Sequence, residues 1–343
     1  MKTFKIIDCT LTEGHQNDFC NFTFEDKLDF LILLDSFGIE YVEINIDDDR
    51  FEDLVKLKID KGLKIKILSC TLPNISKDSL DIFEKCRNYK VDAIKLNYSD
   101  KIIDVCKYIK QNYSNMEIVL SINDFECIYL SNFEKLVDRV RIVDTLGIIT
   151  HYEIEEVFDL IQDSTTFDLP IEYQFRNDTS SAVYNSYTAL SNGCSHIAIS
   201  VLGIGKRNGI TDLSGFISRI YANDKQLLKR YDLPVLKHLD EFVAKRLGIH
   251  IPINNPITGI CSWEQNIVYD EDFNTNIIFT QDIKLFKKMM QHIMPNVYEK
   301  LTDDYIRKLY IQINDDTSKD TTLYIKLNSD IDYARDYICK YIS

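Results

Sequence analysis

Polar side chains follow the predicted strands of this chain at the positions where a parallel sheet gathers reactive groups. They are acids, amides and one guanidinium: Asp8, Glu43, Asn123, Asp144, Gln174, Arg176 and Asn177. The carboxyl ends of the strands in a parallel barrel meet at one mouth, so we expect these groups to surround a single opening. Polar residues are common in loops, so the set as a whole predicts a ligand site while no single member does.

A second group of reactive side chains lies in one short segment, residues 8–16 (DCTLTEGHQ). A histidine titrates near neutral pH, so His15 is suited to acid–base chemistry, and Glu13 and Asp8 are further candidate proton carriers. We therefore treat Asp8, Glu13 and His15 as candidate catalytic residues. For His15 the alternative is a position without a chemical role, and the sequence leaves both interpretations open.

The elements that must position these groups are alternating strands and helices. Runs rich in isoleucine and valine predict eight buried strands, over residues 4–7, 41–44, 65–69, 93–96, 118–122, 140–143, 171–175 and 196–201. Helical spacing between them is clear over residues 25–36, with Thr23 as N-cap and Gly38 as stop signal. Helices are also predicted over residues 78–86, 101–111 and 153–162. Eight alternations favour an α/β fold of the closed (β/α)8 TIM-barrel type over an open doubly wound sheet, although periodicity does not prove closure.

The pattern changes after the eighth predicted strand. Helical spacing continues over residues 213–222, 235–246, 282–294 and 303–312, without strand-like runs between them. We therefore predict a TIM-barrel domain over residues 1–225. Residues 226–343 are predicted to form a hinge and a mainly helical, lid-like C-terminal region.

Composition limits the classes of function. The 343-residue chain is 45% hydrophobic and 27% charged, which is enough to bury a large core. Its formal net charge of -14 argues against nucleic acid and anionic membranes as partners, since both attract lysine and arginine. Nine cysteines without C-x-x-C spacing argue against a disulfide framework or a zinc site. No apolar segment resembles a signal peptide or a membrane span, so we expect a cytoplasmic protein.

Three segments together resemble the homocitrate synthase and isopropylmalate synthase family. They are residues 8–16, residues 174–178 (QFRND) and residues 202–211 (LGIGKRNGIT). The likeness extends from about Lys5 to Gly259, and its local match is closest to homocitrate synthase. It implies a TIM barrel that uses a divalent metal ion to condense acetyl-CoA with a 2-oxo acid.

The resemblance assigns roles to the N-terminal segment. Asp8 falls on the family's metal-binding aspartate, and Glu13 and Gln16 fall on the polar positions that follow it. Thr12 stands where the family has a catalytic arginine. The family's Asp-Thr-x-Gly after the sixth strand is matched from Asp144 and Thr145 onward.

Other positions of the family pattern are changed. Gln174 and Arg176 stand at the family's two metal-binding histidines, with Asn177 and Asp178 retained after them. The glycine-rich motif is intact at Gly203, Gly205, Arg207, Asn208 and Gly209. Residues 251–259 resemble the family's hinge, but the lid histidine expected just beyond it has no counterpart in residues 261–266 (CSWEQN).

These changes conflict with metal binding. A divalent ion needs several oxygen or imidazole ligands, and arginine offers only N–H donors. We therefore expect a degenerate site without a metal ion or another cofactor. A buried guanidinium needs a counter-charge, so we expect Asp8 to neutralise Arg176.

Two hypotheses of function follow, both with a homodimer as the expected assembly. In the first, the chain is an acyltransferase- or lyase-like enzyme with a rewired site for a small carboxylate. The ligand would be a 2-oxo acid, with or without acyl-CoA, in a diverged carbon–carbon bond-forming or bond-breaking reaction. Its predicted contacts are Arg176, Gln16, Asn177, Asp144, Thr145, Gln174 and Glu43. In the second hypothesis, the chain is a catalytically inactive relative, a pseudoenzyme that acts as a ligand sensor or an assembly subunit. A metal-dependent homocitrate synthase is the least expected function.

Two further segments each have two possible interpretations. The glycine-rich segment 203–209 is expected either to hold a phosphate or to shape the rim of the barrel. Three consecutive acids, residues 47–49, suggest a relocated cation site, but a solvated helix start explains them better because acids favour a helix N-terminus.

Overall fold

A closed barrel of eight parallel strands forms the centre of the computed structural model, which confirms the predicted fold. The structure describes residues 3–16, 20–48, 50–70, 80–99, 102–123, 130–164, 169–259, 283–320, 323, 327 and 331–342. The strands are β1 Lys5–Asp8, β2 Tyr41–Asn45, β3 Lys66–Cys70, β4 Ala93–Asn97, β5 Glu117–Asn123, β6 Arg139–Asp144, β7 Ile171–Phe175 and β8 His196–Ile199. Each pairs with the next in sequence order, and β8 closes on β1 through Lys5–His196 and Asp8–Ile199.

Helices alternate with the strands and continue after the last one. In the barrel unit they are α1 Thr10–His15, α2 Phe24–Phe37, α3 Phe51–Asp60, α4 Leu80–Asn88, α5 Ile102–Asn112, α6 His151–Ser164, α7 Ala182–Ser191, α8 Leu213–Asp224 and α9 Val235–Leu247. The C-terminal helices are α10 Ile283–Ile293, α11 Pro295–Tyr298, α12 Asp303–Lys319 and α13 Ile331–Ile342. The predicted helices are present with ends that differ by up to seven residues, and predicted residues 78, 79, 101 and 282 lie outside the described part.

The first long helix shows how local sequence sets an element's ends. Thr23 accepts a hydrogen bond from the Asp26 backbone N–H at 3.2 Å, and the Asp26 carboxylate accepts one from the Thr23 N–H at 3.0 Å. This reciprocal capping box starts α2. Gly38 ends it with a φ of 103°, a left-handed conformation that glycine adopts without steric cost. Both predicted signals are therefore confirmed.

The chain divides into two compact units, Met1–His250 and Ile251–Ser343. The division falls after α9, later than the predicted boundary at residue 225. The reason is that α9 packs on α2: the rings of Phe30 and Phe242 stack at 5.8 Å, and Arg246 pairs with Asp26 at 2.8 Å. Residues 226–250 therefore belong to the barrel unit by their contacts.

The second unit has an apolar core of its own. Its helices bury Phe286, Met290, Ile306, Ile313 and Ile338, each at most 1% exposed. Within the described residues, no helix is both long enough and apolar enough to cross a membrane.

The barrel interior combines an apolar layer with charges. The apolar layer consists of Ile7, Cys9, Tyr41, Leu68, Ala93, Val119, Ala198 and Ile210. A run of ion pairs, which we call the ion-pair column, consists in order of contact of Lys66, Glu117, Arg139, Glu172, Arg141, Glu43 and Lys95. Because strand residues alternate between two faces, Arg139 and Arg141 both point inward from β6 and bridge successive carboxylates.

The middle of the ion-pair column is shielded from water. Arg139 contacts Glu117 and Glu172, each at 2.7 Å, and Arg141 contacts Glu172 and Glu43. The side chains of Arg141 and Glu172 are fully buried. Burial opposes ionisation of Glu172, yet the Arg141 and Arg139 guanidiniums hold its pKa below the usual range.

Candidate functional site

Three side chains converge at the mouth of the barrel, and we call them the mouth cluster: Glu13, Gln174 and Arg176. The Gln174 amide donates from Nε2 to Glu13 Oε1 at 2.7 Å. Arg176 donates from Nη1 to Glu13 Oε2 at 2.9 Å and from Nη2 to Glu13 Oε1 at 3.4 Å. Both oxygens of the Glu13 carboxylate therefore face N–H donors, and the pair is charge-assisted.

The predicted partner of Arg176 was wrong: the guanidinium pairs with Glu13 and not with Asp8. The Asp8 carboxylate instead accepts from the Thr10 backbone N–H at 3.0 Å and from Thr10 Oγ1 at 2.8 Å. Thr10 Oγ1 in turn accepts from the Val201 N–H at 2.9 Å. Asp8 thus fixes the turn from β1 into α1, and this turn directs Glu13 toward β7.

Asp8 is fully buried, and its environment favours the neutral acid. Burial raises its pKa to about 7; the two Thr10 hydrogen bonds oppose that rise, and the Glu43 charge adds to it. The structure therefore places this candidate catalytic residue inside the protein, where it supports the segment that carries Glu13.

Glu43 links the mouth to the ion-pair column. Its Oε1 accepts from Lys95 Nζ at 2.7 Å and from Thr12 Oγ1 at 3.1 Å, and its Oε2 accepts from Arg141. Arg141 Nη1 also lies 3.4 Å from Gln174 Oε1. Glu43 was predicted as a ligand contact, and its carboxylate is 4% exposed and holds three neighbouring elements together.

A second set of contacts fastens the loops around the mouth. Arg207 donates to both oxygens of Asp178, at 2.8 and 2.7 Å, and to the Thr145 carbonyl at 2.7 Å. The hydrogen bonds from Arg207 lower the pKa of Asp178. Asp144 accepts from the Gly147 N–H at 2.8 Å, and the Asn177 N–H donates to the Gly209 carbonyl at 3.0 Å. Asp144, Thr145 and Asn177 shape the rim, and ligand contact by them stays a prediction.

Glycine is required in the rim for space. A Cβ on Gly209, where φ is 76°, would lie 1.7 Å from the Gly203 carbonyl oxygen. A Cβ on Gly205 would lie 2.9 Å from Glu13 Oε2. The loop also brings the Lys206 carbonyl to 3.4 Å from Arg176 Nη1. These contacts favour the rim-shaping interpretation of segment 203–209.

The remaining predicted residues lie apart from the mouth cluster. His15 and Gln16 are exposed at the end of α1, and Asn123 is exposed at the end of β5. Asp48 pairs with Lys27, which supports a structural role for the acidic turn. Asp49 and the segment 261–266 lie outside the described residues.

The donor chemistry of the mouth does not fit a divalent ion. Of the three side chains that meet there, Glu13 alone is an anionic oxygen donor, and a cation beside it would meet the Arg176 guanidinium. In the part of the chain that the structure describes, no three His, Cys, Asp or Glu side chains form a group that could hold a metal.

Sequence reasoning missed Lys95 and Arg141. Each lies inside an apolar strand run, with Lys95 between Ile94 and Leu96 and Arg141 between Val140 and Ile142. A lone cation in a buried strand is costly without a partner, and this was the available signal. The partner itself, Glu43, lies 52 residues from Lys95.

The sequence of this chain is similar to those of known proteins. The HMGL-like family model matches residues 114–243. Homocitrate synthase from Yarrowia lipolytica is 33% identical over 76% of this chain and 63% of its own length, so the chain spans less than two thirds of that relative. Mitochondrial homocitrate synthase from Schizosaccharomyces pombe is 31% identical over 77% of this chain and 68% of its own length.

Solved structures support the fold alone. The N-terminal domain of a putative aldolase from Bacteroides vulgatus has a TM-score of 0.62 at 18% identity, covering 79% of this chain and 96% of that one. The HMG-CoA lyase from Brucella melitensis has a TM-score of 0.57 at 14% identity, covering 71% and 99%. With its barrel, its motifs and a relative that is 31% identical over more than two thirds of both sequences, this chain belongs to the homocitrate synthase family.

Proposed function

We propose that the chain binds a small carboxylate at the mouth cluster without a divalent metal ion. The observation that carries this proposal is the Arg176 guanidinium at the mouth, 12% exposed and paired with Glu13 at 2.9 Å. An arginine has five N–H donors in a planar fork that matches a carboxylate. The ligand class is a 2-oxo acid or a related small carboxylate.

The two donors on Glu13 suit an exchange of partners. Glu13 is held by Gln174 as well as by Arg176, at 2.7 and 2.9 Å. When a ligand carboxylate binds Arg176, Glu13 keeps the hydrogen bond from Gln174 and is not left without a donor. Leaving a buried carboxylate without donors costs more than the net value of a hydrogen bond, so this second donor matters.

The proposed absence of a metal ion rests on the same donors. A cation bound to Glu13 has to displace the Arg176 guanidinium, which repels it. Elemental analysis of the purified protein is expected to show no stoichiometric magnesium, manganese or zinc. An ion bound between Glu13 and the Gln174 amide in a metal-soaked crystal would contradict this proposal.

Binding without turnover is the second candidate function, and the contacts of Thr12 favour it. Thr12 donates to Glu43 Oε1 and to the Cys9 carbonyl, both at 3.1 Å, so this position offers no cation to a developing oxyanion. Asp8 is buried, and His15 is exposed at the end of α1. A sensor or an assembly subunit would keep only the carboxylate-binding site. An enzyme would also catalyse a diverged carbon–carbon bond-forming or bond-breaking reaction.

Assembly, acyl-CoA binding and compartment remain predictions. We expect a homodimer, which light scattering at micromolar concentration tests directly. The cytoplasm is the predicted compartment; among the relatives, one protein from Saccharomyces cerevisiae is a cytosolic isozyme and others are mitochondrial.

A ligand screen tests the carboxylate site. Pyruvate, 2-oxoglutarate, succinate and acetyl-CoA are compared by thermal shift, and titration calorimetry then measures the Kd of the best binder. Arg176→Lys is expected to raise that Kd by about tenfold or more, because an ammonium cannot reproduce the planar fork. The matched control is Arg246→Lys on α9, where the guanidinium pairs with Asp26. Equal Kd values for Arg176→Lys and wild type would remove the central residue of the proposal.

A further inference from the structure

Lys95 occupies an unusual place for a lysine. It lies in the middle of β4, with Ile94 paired to Ile118 and Lys95 paired to Val119 of β5. Its side chain is 17% exposed, so it is mostly buried but not sealed from solvent. A lysine amine inside a barrel, mostly shielded from water, is a candidate nucleophile for a carbonyl carbon.

The neighbours of Lys95 form a charged network around one carboxylate. Lys95 and Arg141 contact the same carboxylate, Glu43, one through each oxygen. Two cations thus share one carboxylate, and a cationic neighbour is one of the known ways to activate a lysine. When Lys95 loses its proton, Glu43 retains its ion pair with Arg141.

The first turn of α1 connects Lys95 to the carboxylate site. Thr12 Oγ1 and Lys95 Nζ both donate to Glu43 Oε1, at 3.1 and 2.7 Å. The next residue along α1 is Glu13, which holds Arg176 at 2.9 Å. Lys95 and Arg176 are therefore linked through the hydrogen bonds of adjacent residues on one turn.

We propose that Lys95 forms an imine with the carbonyl carbon of a 2-oxo acid whose carboxylate is bound by Arg176. This inference rests on the carboxylate site proposed above and assigns its reaction partner. An imine withdraws electrons from the neighbouring carbon, which is the chemistry needed to form or break a carbon–carbon bond there. Here the electron withdrawal would come from the covalent bond between the 2-oxo acid and Lys95.

The step balances without an additional reactant. The neutral Nζ donates its electron pair to the carbonyl carbon, and the carbonyl π electrons move to the oxygen. One proton passes from nitrogen to that oxygen to give the carbinolamine. The second nitrogen proton leaves with the hydroxyl group as water, and a carbon–nitrogen double bond replaces the carbon–oxygen double bond.

Reductive trapping tests the proposal. The full chain is incubated with pyruvate or with 2-oxoglutarate in the presence of cyanoborohydride, which reduces an imine to a stable amine. Intact mass spectrometry is expected to show a single adduct, and peptide mapping is expected to place it on Lys95.

Three variants interpret the result. Lys95→Arg keeps a cation for Glu43 and so protects the fold, but it cannot form a neutral amine, and the adduct is expected to disappear. Lys66→Met removes the lysine at the other end of the ion-pair column and is expected to keep the adduct. Arg176→Lys is expected to slow labelling, because the acid is no longer oriented.

The outcomes separate this inference from the proposed function. Labels spread equally over exposed lysines in wild type and Lys95→Arg overturn the imine. A carboxylate that raises the Tm through Arg176 while Lys95 stays unlabelled also overturns the imine, but it leaves the binding site standing. If neither a Tm shift nor a label is observed, both the imine and the carboxylate site are overturned.

Discussion

The ion-pair column and the mouth cluster use the same kind of contact in different surroundings. In the column, Arg139 and Arg141 bridge carboxylates with side chains that are 2% and 0% exposed. In the mouth, Arg176 contacts one carboxylate and is 12% exposed. The column residues lie on strands, whereas Glu13 lies on the short helix α1 and packs against a glycine-rich loop.

The difference indicates which ion pairs serve the fold and which can serve a ligand. A charge that is fully buried cannot lose its partner without a large cost, because water does not replace it. We propose that the pair at the mouth exchanges one carboxylate for another, because Arg176 is partly exposed to water. The first kind lies on strands, whereas Glu13 and Arg176 lie just outside them.

The largest effect is expected from breaking the column. Glu172→Gln removes the carboxylate between Arg139 and Arg141 and is expected to lower the free energy of unfolding by about 3–5 kcal/mol. Urea denaturation followed by circular dichroism measures this. Glu155→Gln on the exposed face of α6 is the matched control, with an expected change within about 0.5 kcal/mol. Equal stability of the two variants would show that the column is unimportant for the fold.

The strands and their order were predictable because their periodicity is local. Buried parallel strands are short apolar runs, and each run was identified within two residues of its observed ends. The column was not predictable, since Lys95 and Glu43 are joined only by barrel closure. The predicted partner of Arg176 was wrong for a similar reason. Thr10 and Val201, which are 191 positions apart, hold the Asp8 carboxylate away from Arg176.

The free energy of unfolding is expected to depend on pH in opposite directions at the two ends of the barrel. The effect is on the order of 2–4 kcal/mol over the whole pH window. At the mouth end, burial raises the pKa of Asp8 to about 7, so folding takes up a proton and Asp8 loses its stabilising contribution as pH rises toward 7. At the amino end, burial and the Arg139 charge lower the pKa of His196 to about 3. His196 therefore has the opposite dependence: its contribution is present above pH 6.5 and is lost as pH falls.

Two variants test these opposite signs between pH 5 and pH 7. The stability of Asp8→Asn relative to wild type is expected to increase as pH rises, because wild type alone loses the Asp8 contribution. The stability of His196→Asn relative to wild type is expected to decrease as pH rises, because wild type alone gains the His196 contribution. Urea titrations at several pH values measure both differences, and slopes of the same sign would contradict the assignment.

A smaller effect is expected from breaking the mouth pair. Glu13→Gln is expected to lower the free energy of unfolding by about 1–2 kcal/mol, less than Glu172→Gln, because Arg176 reaches solvent. It also removes the internal competitor for the guanidinium, so the best small carboxylate is expected to bind about tenfold more tightly. Calorimetry on both variants decides this. Weaker binding by Glu13→Gln would mean that Glu13 orients Arg176 and does not compete with the ligand.

The smallest effect is expected at the rim, where ion pairing and exposure are combined. Arg207 is 44% exposed, so its bidentate pair with Asp178 is screened by water. Arg207→Gln is therefore expected to leave the free energy of global unfolding almost unchanged. The same guanidinium also donates to the Thr145 carbonyl and so ties the loops after β6 and β8 together. Local opening of these loops should increase more than global unfolding does.

Hydrogen exchange measures that local opening directly. The Gly209 N–H, which donates to the Lys206 carbonyl, and the Asn177 N–H, which donates to the Gly209 carbonyl, are the amides to follow. In Arg207→Gln the protection of these two amides from exchange is expected to fall. The amides of β6 and β7, the strands that carry Arg139, Arg141 and Glu172, are expected to keep their protection. Equal loss of protection in both regions would mean that rim and column open as one unit. Exchange of partners at Arg176 would then require the barrel itself to loosen, and the distinction between a rigid column and an adjustable mouth would fail.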